Sequence, residues 1–140
     1  MSAIATLRRW RHGPMKALNP VWTVLGRAYR VAARAGLSPP VEQRIAPYGP
    51  FRLQPEFAFS NFENWGGAHN SGFRACIEAC RGADCVFDVG GHIGLVTLPM
   101  SRVMAEGGQV YTFEPAAANL RCLRRHIADN GITNVEVIES

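Results

Sequence analysis

The chain has 140 residues, 47% of them hydrophobic and 19% charged, with a formal net charge of +4. That length suits one core, since a chain of roughly 150 residues buries about 70% of its unfolded surface. The composition excludes a disordered chain, and no apolar run reaches the ~18 residues that would span a bilayer.

The charge is unevenly placed. Residues 1–40 hold seven basic side chains (Arg8, Arg9, Arg11, Lys16, Arg27, Arg30, Arg34) and no acid, whereas the remaining 100 residues sum to −3. The basic character therefore belongs to an N-terminal helical arm, and only the arm invites an acidic partner. Gly13-Pro14 and Asn19-Pro20 break it into two short helices, the second expected over Val21–Ala35 with Val21, Leu25, Ala28 and Ala32 at near-helical spacing. A self-docking or solvated appendage, peripheral contact of residues 1–37 with an anionic membrane, and nucleic-acid binding are the three readings of such an arm, nucleic acid ranking last. Arg8-Arg9 opens no cleaved leader, because Lys16, Pro20, Arg27 and Arg30 interrupt the apolar stretch an export signal needs. The expected location is cytoplasmic, with the arm as a route to the membrane periphery.

Residues 41–83 form a proline- and aromatic-rich lead-in. Across residues 38–57, Pro39, Pro40, Pro47, Pro50 and Pro55 fix φ and remove donors, so a linker or an irregular lead-in to strands is expected, followed by a short helix near Gly72–Cys80. The loop Trp65–Asn70, with His69, reads as a surface loop or as a cover for a ligand. Four cysteines, Cys76, Cys80, Cys85 and Cys122, make neither a dense disulfide framework nor a paired metal knuckle, so reduced thiols and no metal are expected.

From residue 84 to 140 the pattern becomes strand, helix, strand, helix, strand. Cys85–Val89 is a short, mostly apolar run ending in Gly90-Gly91. The helix after it draws on Leu95, Val96, Leu98, Val103 and Met104 and is expected to stop at Gly107-Gly108, with Pro99 requiring a late start or a kink. Gln109–Phe113 is the second strand, Ala116–Asp129 the second helix with Leu120, Leu123 and Ile127 on its core stripe, and Val135–Glu139 the third strand. The expectation is an α/β, Rossmann-like fold with a parallel sheet.

Two features of this unit carry chemistry. Asp88-Val89-Gly90-Gly91-His92-Ile93-Gly94 is a glycine-rich turn after the first strand, where Gly90 and Gly94 let backbone bend and approach a ligand. Glu114, 20 residues past Gly94, ends the second strand beside Pro115. Both belong at the carboxyl edge of a parallel sheet, where a carboxylate at this offset can accept hydrogen bonds from both ribose hydroxyls of an adenosine ligand. The dinucleotide pattern G-x-G-x-x-G fails on the letters: from Gly90 its later glycines would be His92 and Leu95, and from Gly91 they would be Ile93 and Val96. Bulky His92 also argues against a pyrophosphate held at the turn. A phosphate-free ligand, S-adenosylmethionine, suits the pattern, with its ribose on Glu114, its methionine end along the turn and its ammonium near Asp88. His92 reads as a turn residue near the ligand or as a base, an imidazole being the side chain suited to that work near neutral pH.

The string Val86–Gly94, then Tyr111-Thr112-Phe113-Glu114-Pro115, then Asn119 and Leu123 through Asn130, resembles the FkbM family of class I methyltransferases over about residues 84–140. The resemblance implies an S-adenosylmethionine-dependent O-methyltransferase acting on a hydroxyl of a sugar, glycolipid or polyketide-like metabolite. It places Asp88, Gly90 and Gly94 in the cofactor loop and makes Glu114 the ribose-binding acid. Val89, Gly91, His92 and Pro115 complete the candidate cofactor-binding set, with Gly91 and His92 standing where the family often has small or amide residues. No catalytic residue follows from it. Such domains usually continue with four more strands in the order 3-2-1-4-5-7-6, so a unit truncated after the third strand, with weak or no turnover alone, is expected. Two other classes stay open: a non-catalytic, NAD-type half-domain, and a partner- or membrane-binding module working through the basic arm.

Overall fold

The computed structural model of the protein describes residues 19–36, 38–66 and 71–140, with Thr6, Leu7, Trp10, Gly13 and Ala17. Arg8, Arg9, Arg11 and Lys16 of the first short helix expected in the arm, and His69 of the expected cover loop, lie outside the described residues. In chain order the elements are α1 (Asn19–Arg34), β1 (Val41–Ile45), β2 (Tyr48–Leu53), a 3-10 turn (Pro55–Phe57), α2 (Ser71–Ala79), β3 (Cys85–Val89), α3 (Thr97–Val103), β4 (Gln109–Phe113), α4 (Ala117–Asp129) and β5 (Val135–Ile138).

The strands β3, β4 and β5 lie side by side in that order and run parallel, Val89 level with Phe113 and Phe113 level with Ile138. This β-α-β-α-β unit is the α/β, Rossmann-like arrangement. Both crossovers step across the sheet in the same direction, so connections of one hand place α3 and α4 on one face. Burial agrees with that placement: Val110 and Thr112 are fully buried and Asp88 nearly so, whereas Phe87 and Val89 on the opposite face are 64% and 83% exposed. On that open face Phe87 stacks on Tyr111 with ring centroids 5.5 Å apart.

Pro99 is accommodated by a late start. Helix α3 begins at Thr97, so the proline falls in the first turn, where backbone N–H groups have no acceptor within the helix. The helix also stops before the expected Gly107-Gly108: Met104 turns extended, and the Ala105 N–H donates to the Ala83 carbonyl at 3.1 Å. Helix α4 ends as its glycine foretells. Gly131 has φ +59, and the N–H groups of Gly131 and Ile132 donate back to the carbonyls of Ala128 and Ile127, a Schellman closure with the half-buried Ile132 and Ile127 both packed against the core.

The proline-rich stretch expected to be irregular is instead an antiparallel hairpin, with Val41 opposite Leu53 and Gln43 opposite Phe51. The prolines sit where a ladder can spare a donor: Pro47 in the connection, Pro50 where the register shifts, and Pro55 at the start of the 3-10 turn. Alternation in β1 turns Val41, Gln43 and Ile45 inward. Ile45, Phe51 and Leu53 then share a core with Leu98 of α3, with Leu95, Ile127 and Ile132 packed against it. A neighbouring cluster joins Ile77 of α2 to Met100, Val103 and Val110. The side-chain amide of Asn130 fastens the hairpin to the end of α4, accepting from the Arg52 N–H and donating to the Arg52 carbonyl, both at 2.8 Å.

Candidate functional site

Because β3 and β4 end level with each other, the turn after Val89 and the residue after Phe113 are neighbours. The N–H groups of Gly90 and Gly91 both donate to the Phe113 carbonyl, at 2.8 and 3.0 Å. The next N–H, that of His92, donates to Glu114 Oε2 at 2.8 Å. Three successive amides of the turn are thus committed to the end of β4. His92 reaches this arrangement at φ +49, with its imidazole exposed.

Two glycines make the turn possible for different reasons. Gly94 sits at φ +92, a region side chains rarely adopt, and a Cβ there would lie 2.9 Å from Leu123 Cδ1. Gly91 has an ordinary φ, but a Cβ on it would meet Thr112 Oγ1 at 2.0 Å. The turn lies directly against β4 and α4, and these two positions have no room for a side chain.

Glu114 is 5% exposed and accepts three hydrogen bonds. Oε1 takes the Ala116 N–H at 2.8 Å and the Asn119 amide at 3.1 Å, while Oε2 takes the His92 N–H. The Ala116 N–H is the chief reason its carboxyl is held below the usual carboxylate range; Asn119 and His92 act in the same direction and burial opposes them. A carboxyl whose folded pKa is lowered stabilises the fold fully above its unfolded value, about 4.3, and that stability is lost as the pH falls through the lower folded value. An ionised carboxylate has about four acceptor positions. One remains, on Oε2.

Asp88 faces inward, 9% exposed. Its Oδ2 accepts from the Thr97 hydroxyl at 2.6 Å and from the Thr112 hydroxyl at 3.4 Å. It pins the first residue of α3 to the strands on either side of the turn. The eight candidate residues accordingly divide: Asp88, Gly91, Gly94 and Glu114 are buried and build the turn, while Val89, Gly90, His92 and Pro115 are exposed along its rim.

One contributor is not singled out by the sequence reading. His126 of α4 is fully buried, its ring 5.7 Å from that of Phe57. Its Nε2 accepts from the Gln54 N–H at 2.8 Å, which leaves Nδ1 as the protonated nitrogen, donating to the Ile93 carbonyl at 2.8 Å. One imidazole therefore ties the glycine turn to the hairpin. The available signal is its position three residues after Leu123, on the apolar stripe of α4.

Trp65 stacks on Phe73 with centroids 4.7 Å apart. The hollow beside it, about 400 Å³, is lined by Ala46, Pro47, Glu63, Asn64, Gly66 and Arg74, none of which belongs to the turn or to the end of β4.

No protein-family model matches the chain, and no curated protein does. Solved structures with a similar arrangement include an O-methyltransferase from Bacillus cereus in complex with SAH, at 22% identity and a TM-score of 0.44, covering 52% of this chain and 33% of that one. A SAM-dependent methyltransferase from Aquifex aeolicus is similar at 23% identity and a TM-score of 0.43, covering 49% of this chain and 37% of that one. An rRNA methylase from Streptococcus thermophilus is similar at 21% identity and a TM-score of 0.44, covering 51% and 38%. The chain spans about a third of the length of these proteins, 33% to 38%.

Proposed function

We propose that this chain binds S-adenosylmethionine and serves a methyltransferase that acts on a hydroxyl of a sugar, glycolipid or secondary metabolite. The observation that carries the reading is Glu114, an ionised carboxylate at the carboxyl end of β4 with one acceptor position still free beside the glycine turn. That position fits a ribose hydroxyl, and displacement of the Asn119 amide would give a second. The outer side of the turn has room for an amino-acid tail, since a Cβ added at Gly90 meets nothing within 4 Å. A pyrophosphate fits less well: it needs turn amides pointing outward, and those of Gly90, Gly91 and His92 are already donated inward. The acceptor class rests on the resemblance of residues 84–140 to FkbM methyltransferases. A cytoplasmic location is in keeping with four unpaired cysteines.

S-adenosylmethionine, when bound, supplies a methyl group on a sulfonium for displacement by the acceptor oxygen. The residues present do the positioning such a transfer needs. Glu114 orients the ribose, the Gly90–Gly94 turn gives the tail space, and Asp88 with Thr97 and Thr112 keeps the turn rigid from beneath.

Calorimetric titration with S-adenosylhomocysteine and with NAD tests the reading. The expected result is binding of the first and not the second, with Glu114→Ala weakening it roughly 10- to 100-fold, as loss of a hydrogen bond to a charged group implies. Tighter binding of NAD, or unchanged affinity in Glu114→Ala, would reject it.

A further inference from the structure

Helix α1 carries two apolar stripes where docking onto the body requires one. The inward stripe is Trp22, Gly26, Tyr29 and Ala33, with Trp22 and Ala33 at 7% and 6% exposure. Tyr29 meets Phe59 edge-on at 5.2 Å, and the helix rests against the 3-10 turn. Those contacts account for the attachment of α1.

The second stripe points away from the body. Val21, Val24, Leu25 and Val31 are 52%, 65%, 51% and 70% exposed, with Ala28 exposed between them. At 3.6 residues per turn they cover about 120° of the helix, adjoining the inward stripe on one side. Three of the four are valines, whose stiff side chains favour helix less than the straight-chain residues usual on a solvated face. The remaining sector carries Arg27 and Arg30, both exposed, and no acid occurs anywhere in residues 1–40. Trp10, just upstream and 47% exposed, is of the type that settles at headgroup depth.

We propose that this outward face of α1 seats the protein on an anionic membrane, with Val21, Val24, Leu25 and Val31 in the acyl boundary, Arg27 at the strip's edge on the lipid phosphates, and Arg30 adding its positive charge from the helix's upper side. Charge complementarity selects the occupant: a purely cationic helix with an apolar strip along its length matches a surface that is apolar at depth and negative above it. Arg27 stands about 40° beyond Val31, so its stem can lie along the edge of the strip while its head reaches the phosphates. No helix among the described residues is long and apolar enough to cross a membrane, so the seat is interfacial.

Co-sedimentation with vesicles of phosphatidylcholine alone, or of phosphatidylcholine with phosphatidylglycerol, tests the proposal. Binding to the anionic vesicles is expected to exceed binding to the neutral ones roughly tenfold or more, and to weaken as salt is raised. V24D/L25D and, separately, R27E/R30E should each reduce anionic binding to the neutral level. Their melting temperatures should stay unchanged, because these side chains lie outside the inward stripe. Should either pair unfold the protein, the other still decides. Absent binding to anionic vesicles, or full binding by a folded variant, overturns the proposal. So does a concentration-dependent dimer that V24D/L25D abolishes without any lipid binding, which would make the face a contact between copies.

Discussion

Gly91→Ala is expected to destabilise the fold by about 3 kcal/mol, the upper range for overpacking a filled core. The backbone at Gly91 suits alanine, so the effect is one of space: the new Cβ would stand 2.0 Å from Thr112 Oγ1 and 3.4 Å from both Thr112 Cβ and Leu123 Cδ2. Thr112 has little freedom to yield, being fully buried in the central strand with its hydroxyl beside Asp88 and Thr97. Removing that hydroxyl should reopen the space. Denaturant unfolding of the two single variants and the double variant measures the coupling. In a Thr112→Ala background, Gly91→Ala should cost less than half as much; an equal cost in both backgrounds would place the conflict elsewhere.

His126→Ala is expected to cost about 3–5 kcal/mol, combining a cavity in the core with two buried backbone groups left unpaired. Those groups are the Gln54 N–H and the Ile93 carbonyl, so the loss should reach both the hairpin and the glycine turn. A pH dependence accompanies it. Burial lowers the His126 pKa, against smaller opposing effects from the Ile93 carbonyl, Asp129 and Glu56. Above pH ~6.5, the unfolded histidine value, the neutral ring contributes its full stability. As the pH falls through that value toward the lower folded one, the unfolded chain gains a proton that the folded chain refuses. Stability should fall by at most about 1.4 kcal/mol per pH unit. Urea unfolding across pH 5–8 checks it, and His126→Gln should flatten the profile. A wild-type profile already flat over that range would mean the ring is not held neutral.

The sequence shows much of this fold because its signals are local. The apolar run into Gly90-Gly91, the stripe of Leu120, Leu123 and Ile127, and Asn130-Gly131 all mark their elements within two residues of the observed limits. The hairpin at 41–53 is obscured by its own prolines, which are tolerated through a register shift visible only when both strands are paired. The site is legible to a similar depth. The juxtaposition of the turn with Glu114 follows from parallel strands of equal reach. Which donors Glu114 already holds does not, since Ala116, Asn119 and His92 converge on it only through the exit geometry of two strands. His126 shows the same limit: an apolar stripe betrays its burial, while its partners Gln54 and Ile93 come from distant segments.

Amide spectra of the nitrogen-labelled protein, recorded while S-adenosylhomocysteine is added, test the central claim at residue level. Saturable shifts are expected at Gly90 to Gly94 and at Glu114 to Asn119, with little change in the hairpin strands β1 and β2. Saturable binding whose shifts fall elsewhere, at Trp65 and Arg74 for instance, or no binding at all, would contradict it.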